Sequence, residues 1–318
     1  MQDQLRRTVE ALAAPGTRQV GSHGHELAKN YLIERLNSAD LQPYAGDNYT
    51  LPYRVETTGY TNLAGVLPGR DRQSAPILLM AHYDTCGDQP GADDNAAAIA
   101  TWLSVLQILK QKRLQRDVIL LFPDAEEPPR FLTEHMGSVN FYEKQLQQSI
   151  HAGLVLDLVG HDVPLEGMED LVFVFGAESH KSMADLLLDV KLPVGLRNIA
   201  TLNRYVGDLS DHHVLRENKQ PYLFFTCGRW EHYHQESDKP EHLNYAKMER
   251  IVQYLTNLIE QLDGREFGSA GFNHDPIEME LQLLNRAIGP YLEQAGIPMN
   301  NRGDVQRFVL GWAKQHQL

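Results

Sequence analysis

The chain has 318 residues, 42% hydrophobic and 22% charged, which is enough to bury a sizeable core in one elaborated α/β unit. Its formal charge of −13 repels phosphate backbones and anionic bilayers, so neither nucleic acid nor a membrane surface is an expected partner. The two cysteines, Cys86 and Cys227, exclude a disulfide framework and a cysteine zinc motif, and the N-terminus lacks the apolar core of a signal peptide, so a cytoplasmic protein is expected.

Residues 3–13 read as a first helix. Residues 26–39 read as a second, with Leu27, Tyr31, Leu32 and Leu36 on one face. Residues 42–54 have weak strand character, and NLAGVL at 62–67 reads as a strand closing at Pro68-Gly69. From residue 77 the pattern becomes α/β. Continuous apolar runs at 77–81, 117–122, 153–159, 171–175 and 221–226 predict strands buried on both faces. Helices are expected between and after them, at 96–112, 137–147, 181–190 and 240–262. The weakly polar run at 95–109 is too short to span a bilayer and reads as a buried helix. The expected fold is therefore an α/β three-layer sandwich, with a central mixed, mostly parallel sheet and helices on both faces, over residues 1–262. Residues 263–275 read as a linker. Helical segments at 277–294 and 302–316 form an appendix packed on the same domain or used in contact with another copy.

In such sheets ligands sit beyond the carboxyl ends of the strands. The chemistry-bearing residues fall there: His82 and Asp84 after the first buried run, Glu126 and Glu127 after the second, Asp157 near the end of the third, His234 after the last. Asp93 and Asp94 lie on the loop returning from the first. Imidazole and carboxylate together suit zinc, with cobalt or manganese as substitutes. Asp84, two residues beyond His82 on an extended chain, points the same way and can hold the imidazole from behind. Of two adjacent glutamates, one can bind metal while the other faces water as general base. Singly, most of these residues have ordinary uses: Asp93-Asp94-Asn95 as a helix cap, Glu126-Glu127 as a solvated pair, the histidines as structural groups. Asp157 does not, because a carboxylate inside an apolar strand is costly unless paired or metal-bound. Together, in this order, they point to a metal site.

The set HYD (82–84), GADDNAA (91–97), EE (126–127), LDL (156–158), SDH (210–212) and YHQESDKPEHLN (233–244) resembles the co-catalytic zinc aminopeptidases of the bacterial leucyl aminopeptidase type, relatives of the glutaminyl cyclases. The resemblance spans residues 20–262 and implies a zinc exopeptidase-like fold with two zinc ions. It implies His82 and Asp157 on one metal, Glu127 and His234 on the other, and Asp94 bridging, with Asp93 left to a supporting role. His234 is favoured over His232 because the SDKPEHLN run aligns behind it. Asp84 would orient His82, and Glu126 would serve as general base toward a hydroxide held by the zincs. The implied reaction removes N-terminal residues from peptides or small aminoacyl substrates. In this family a tyrosine shortly before SDH can donate to the oxyanion. Here Gly207 stands in that place and Tyr205 is offset from it, so Tyr205 and Tyr233 are the expected substrate contacts. The alternative is a glutaminyl-peptide cyclotransferase with one zinc on Asp94, Glu127 and His234. A non-catalytic relative would be expected to have lost ligands, and none is missing. Substrate preference is expected to lie in loops 128–136, 160–170 and 203–209.

Overall fold

Four strands whose residues are buried along their whole length form the middle of the molecule, and the rest of the chain supplies their cover. The computed structural model describes residues 1–272 and 274–316; Asn273 in the expected linker and residues 317–318 of the expected appendix lie outside the described residues. Among the described residues one mixed sheet contains β1 (Gln42–Pro43), β2 (Thr50–Val55), β3 (Thr58–Leu67), β4 (Ile77–Met80), β5 (Val118–Phe122), β6 (Ala152–Leu156), β7 (Leu171–Phe175), β8 (Arg197–Thr201) and β9 (Tyr222–Thr226). The order is β1-β3-β5-β4-β6-β9-β7-β8, with β2 paired to β3. β5, β4, β6 and β9 run parallel, whereas β3 is antiparallel to β5 and β7 to β9.

Alternate side chains on these strands feed two cores, as strand geometry requires. Ile77 and Leu79 of β4, with Val118, Leu120 and Phe122 of β5, face α1 (Gln2–Ala13), α2 (His23–Ser38) and α3 (Ala98–Leu109). Leu78, Met80, Ile119 and Leu121 join the opposite core. The remaining helices are α4 (Gly137–Asn140), α5 (Lys181–Asp189), α6 (His212–Glu217), α7 (Tyr245–Asp263), α8 (Ile277–Gln294) and α9 (Arg302–His316). α7 covers the first face through Met248, Ile251, Leu255, Ile259 and Leu262. The C-terminal segment packs on the second face, where Leu284, Ile288, Val305 and Val309 share a core with Phe173 and Ile199. Arg197 of β8 donates to the Ala287 carbonyl at 2.7 Å, and Thr201 donates to Glu280 at 2.7 Å. Among the described residues no helix is long and apolar enough to cross a membrane.

The α/β sandwich agrees with the sequence expectation, and its departures have local causes. The expected strand at 153–159 stops at Leu156, so Asp157 is the first residue beyond the strand and not a carboxylate within it. The helix expected from 96 begins at Ala98, after a wide turn over Ala92–Ala97 in which Asp94 leaves helical geometry (φ −106°, ψ 87°). The helix expected from 240 begins at Tyr245, where the Asn244 side chain accepts from the Lys247 amide; Pro240–His242 is a separate short turn. The segment expected as one helix over 137–147 divides into α4 and a wide turn over Phe141–Gln145. Leu27, placed on the apolar face of α2 by spacing, is exposed, and that helix buries His25, Ala28, Leu32 and Leu36 instead.

Candidate metal centre and substrate cavity

Because β5, β4, β6 and β9 are parallel, their carboxyl ends open on one edge. The turns after β4, β5 and β6 bring His82, Glu126, Glu127 and Asp157 together there, and the segment after β9 adds His234. Strained backbone occurs at the same edge. Ala125, just before Glu126, Leu158, just after Asp157, and His234 itself all have positive φ of 53–59°. Such values are uncommon outside glycine and persist only when surrounding contacts over-determine them.

The donor atoms fall into two groups joined by Asp94. His82 Nε2 lies 3.4 Å from Asp94 Oδ1 and 3.7 Å from Asp157 Oδ1. His234 Nε2 lies 3.2 Å from Asp94 Oδ2 and 3.1 Å from Glu127 Oε2. One aspartate thus turns each oxygen toward a different histidine and its carboxylate. Glu126 Oε2 stands 3.8 Å from His82 Nε2. His82 Nε2, Asp157 Oδ1, Glu126 Oε1, Glu127 Oε1 and His234 Nε2 are all buried without a hydrogen-bond partner. Buried polar atoms are nearly always paired, so a convergent set of unpaired imidazole and carboxylate atoms fits a cation that completes them, and the donor types suit zinc.

The electrostatics agree. Burial opposes charge on His82, yet Glu126 and Asp157 raise its pKa well above the usual imidazole value. Burial also disfavours the His234 imidazolium, but the adjacent carboxylates of Asp94 and Glu127 carry it up to about 10. Burial pushes Glu127 to about 8, with Asp94 adding to the rise. Burial likewise raises Glu126 well above the carboxylate range; His82 opposes the rise, and Glu127 and Asp157 add to it. These groups share too few protons among too many buried carboxylates. A divalent cation would reverse that balance, holding the carboxylates ionised and the imidazoles neutral.

The supporting contacts are specific. Asp84 lies 3.5 Å from His82 Nδ1, as an orienting carboxylate should, and it also accepts from the Glu126 amide at 3.0 Å and the Glu127 amide at 3.1 Å. It therefore fixes a ligand and the glutamate pair at once. Asp93 faces the other way, accepting from Gly160 N at 2.7 Å and pairing with His161 Nδ1 at 2.6 Å. Asp238 accepts from the amides of Asp93 and Asp94 at 2.9 and 3.0 Å, which fixes the backbone of the joining aspartate. The loop is completed by Arg18, fully buried, which donates to the carbonyls of Tyr83, Gly91 and Asp94. Gly91, at φ +61°, admits no side chain, since a Cβ would sit 2.3 Å from Asp94 O and 2.9 Å from Arg18 Nη2. Asp211 is buried beside Ser138 and Asp157, and burial holds its carboxyl up to about 7. Arg18, Asp211 and Asp238 were not singled out in the sequence. The SDH and SDK motifs contained the two aspartates, but their contacts exist only in the folded chain.

The metal-facing groups line a cavity of about 310 Å³. Its apolar wall comes from Pro128, Phe131, Leu158, Leu209, Phe224 and Tyr233. Of the three loops expected to set preference, 128–136 and 203–209 reach it, whereas 160–170 does not, and Thr226, Gly228 and Arg229 take part instead. Tyr233 lines the cavity and stacks on His234 with ring centroids 3.8 Å apart. Tyr205 does not line it; it is buried against the C-terminal core and its hydroxyl accepts from Arg302 at 3.3 Å. The two cysteines are free and lie in different surroundings. Cys227 is buried with Sγ 3.9 Å from the Leu171 carbonyl, while Cys86 is partly exposed beside Glu127 and His234.

Comparison with known proteins places this edge in context. Solved structures that share the fold include a Zn-dependent exopeptidase from Parabacteroides distasonis (17% identity, 83% of this chain and 98% of that one, TM-score 0.65) and Tannerella forsythia glutaminyl cyclase (18%, 84% and 99%, 0.66). Among sequence relatives, Escherichia coli (strain K12) YfbL is 25% identical over 213 residues, 58% of this chain and 66% of that protein. Mouse endoplasmic reticulum metallopeptidase 1 is 30% identical over 200 residues, 55% of this chain but only 21% of its own length, so the chain spans less than two thirds of either relative. The profile of Peptidase family M28 matches residues 62–259, a segment that contains all the donor residues described above. The chain belongs to Peptidase family M28.

Proposed function

We propose that the protein is an aminopeptidase that removes N-terminal residues from peptides with two divalent cations, zinc in the first instance. The observation that carries this reading is Asp94, whose two oxygens address separate donor pairs at 3.4 and 3.2 Å. In this reading His82 and Asp157 would hold one ion and Glu127 and His234 the other, with Asp94 available to both. Bound there, the ions would polarise the scissile carbonyl and lower the pKa of water. Glu126 takes a proton from the attacking water and passes it to the departing amine. Its buried, carboxylate-rich surroundings already favour proton uptake. Asp84 holds both the imidazole of His82 and the turn that carries Glu126, which keeps the base in register with the reacting carbonyl. The apolar wall of the cavity accepts the first side chain of the substrate, whose free α-amino group would then lie at the metal edge. Cytoplasmic action on small peptides belongs to the same proposal.

The test is a panel of leucyl, alanyl and glutaminyl peptides, each with a free and an acetylated N-terminus, with products identified by mass. Release of the first residue from the free peptides alone is expected. Conversion of the glutaminyl peptide to its cyclised product, without cleavage of the others, would replace this reading with that of a glutaminyl cyclase. Cleavage of acetylated peptides at internal bonds would remove the exopeptidase assignment.

A further inference from the structure

Cys86 is a reactive side chain at the metal edge that the hydrolytic reading leaves without a task. It follows the His82–Asp84 segment by two residues, on the loop that returns from β4. Its Sγ, a carboxylate oxygen of Glu127 and a ring nitrogen of His234 all lie within 4.8 Å of one another. Glu127 is 4% exposed, and its Oε1, like His234 Nε2, has no hydrogen-bond partner, so both side chains that group with the sulfur carry an unsatisfied ligand atom. Around a tetrahedral zinc with bonds of about 2.3 Å to sulfur and about 2.0 Å to nitrogen, such atoms stand roughly 3.5 Å apart.

We propose that Cys86 is a sulfur ligand of the ion held by Glu127 and His234, making this half of the centre a Cys/His/carboxylate site while the His82–Asp157 half keeps only nitrogen and oxygen donors. The inference rests on the two-ion reading given above. On binding, the thiol proton leaves to solvent as sulfur donates its electron pair to the cation; no redox change is involved. The two halves then differ in softness, so the sulfur-bearing half prefers the softer cation of any mixture.

Cobalt(II) loaded into the chelator-treated protein reports both points separately. The visible ligand-field bands show whether the ion is bound at all, and a near-ultraviolet sulfur-to-cobalt charge-transfer band shows whether a thiolate is bound to it. Both sets are expected in the unaltered chain, with the charge-transfer band lost in Cys86→Ser and Cys86→Ala while the visible bands remain. In parallel, zinc should slow alkylation of Cys86 by iodoacetamide at least tenfold, followed by peptide mass mapping. Visible bands without a charge-transfer band in the unaltered chain, or a charge-transfer band that survives in Cys86→Ser, would overturn the sulfur ligand alone. Absence of visible bands in every variant would overturn it together with the metal-centre reading.

Discussion

Glu126 and His212 illustrate how burial sets the chemistry of single residues. Glu126 is 4% exposed and within 3.8 Å of His82, yet its role in the proposed reaction is proton transfer and not charge donation to an ion. Glu126→Gln keeps the shape and removes the base. Turnover is expected to fall by roughly 10²–10⁴-fold, the usual contribution of general acid–base catalysis, while metal content per chain stays unchanged. Steady-state kinetics with metal analysis on the same sample checks it; undiminished kcat would remove Glu126 as the base. His212 has a stability role. Fully buried, stacked on Phe224 and bonded through Nε2 to Asn203 at 3.0 Å, it is held neutral, with burial lowering its pKa to about 3. The unfolded chain takes up a proton near the ordinary imidazole value of 6.5 and the folded chain does not. The stability this group contributes is therefore complete above pH 6.5 and lost as pH falls toward 3. Between pH 6.5 and 5 the loss is on the order of 2 kcal/mol. Urea unfolding at both pH values should show that His212→Gln lacks this part of the acid sensitivity; an identical pH dependence in both proteins would contradict it. At this scale the sequence was most legible where residue type and strand end coincide, as at His82, Glu127 and Asp157. It was least legible where a role depends on partners far along the chain: Asp238 acts through the amides of residues 93 and 94, and Tyr205 meets Arg302 and the second core instead of the cavity.

At the scale of elements, the loop over residues 90–94 decides whether the donors meet, and Arg18 decides the loop. Its guanidinium stays charged although burial lowers its pKa to about 10, because Asp238, Asp94 and Asp84 oppose the loss of the proton. It bridges the turn after α1 to the carbonyls of Tyr83, Gly91 and Asp94, so the first ligand segment and the joining aspartate are held by one side chain. Arg18→Met would leave these carbonyls and the facing carboxylates uncompensated. A loss of about 3–5 kcal/mol is expected. The remaining folded protein should bind zinc ~10–100-fold more weakly, as when groups that orient ligands are removed. Denaturant unfolding and competition against a chelator measure the two; wild-type values for both would show that the loop stands without Arg18. Elements with strong patterns were legible, including the buried strands and α8, because their burial is written in residue type. β8 (RNIAT) and α6 (HHVLRE) were not anticipated. One is a short strand with only part of its length apolar, the other a six-residue helix dense in polar groups, and each is held by its neighbours more than by its own sequence. The late start of α7 follows from the Asn244 cap.

The whole molecule works by alignment. Four parallel strands deliver their carboxyl ends to one edge, two helical layers bury both faces of the sheet, and the C-terminal helices close the second face around Phe173 and Ile199. Alternation of buried runs with helices made this architecture readable in the sequence, whereas strand order was not, since β9 inserts between β6 and β7 through contacts that no local pattern encodes. The consequence for function is that residues as distant as His82 and His234 share one aspartate. Stepwise return of zinc to the chelator-treated protein, with release of the N-terminal residue from a leucyl peptide followed at each addition, tests that claim most directly. Chelation should abolish activity, and zinc or cobalt should restore it to a plateau at two ions per chain. A plateau at one ion, or turnover that persists after verified metal removal, would contradict it.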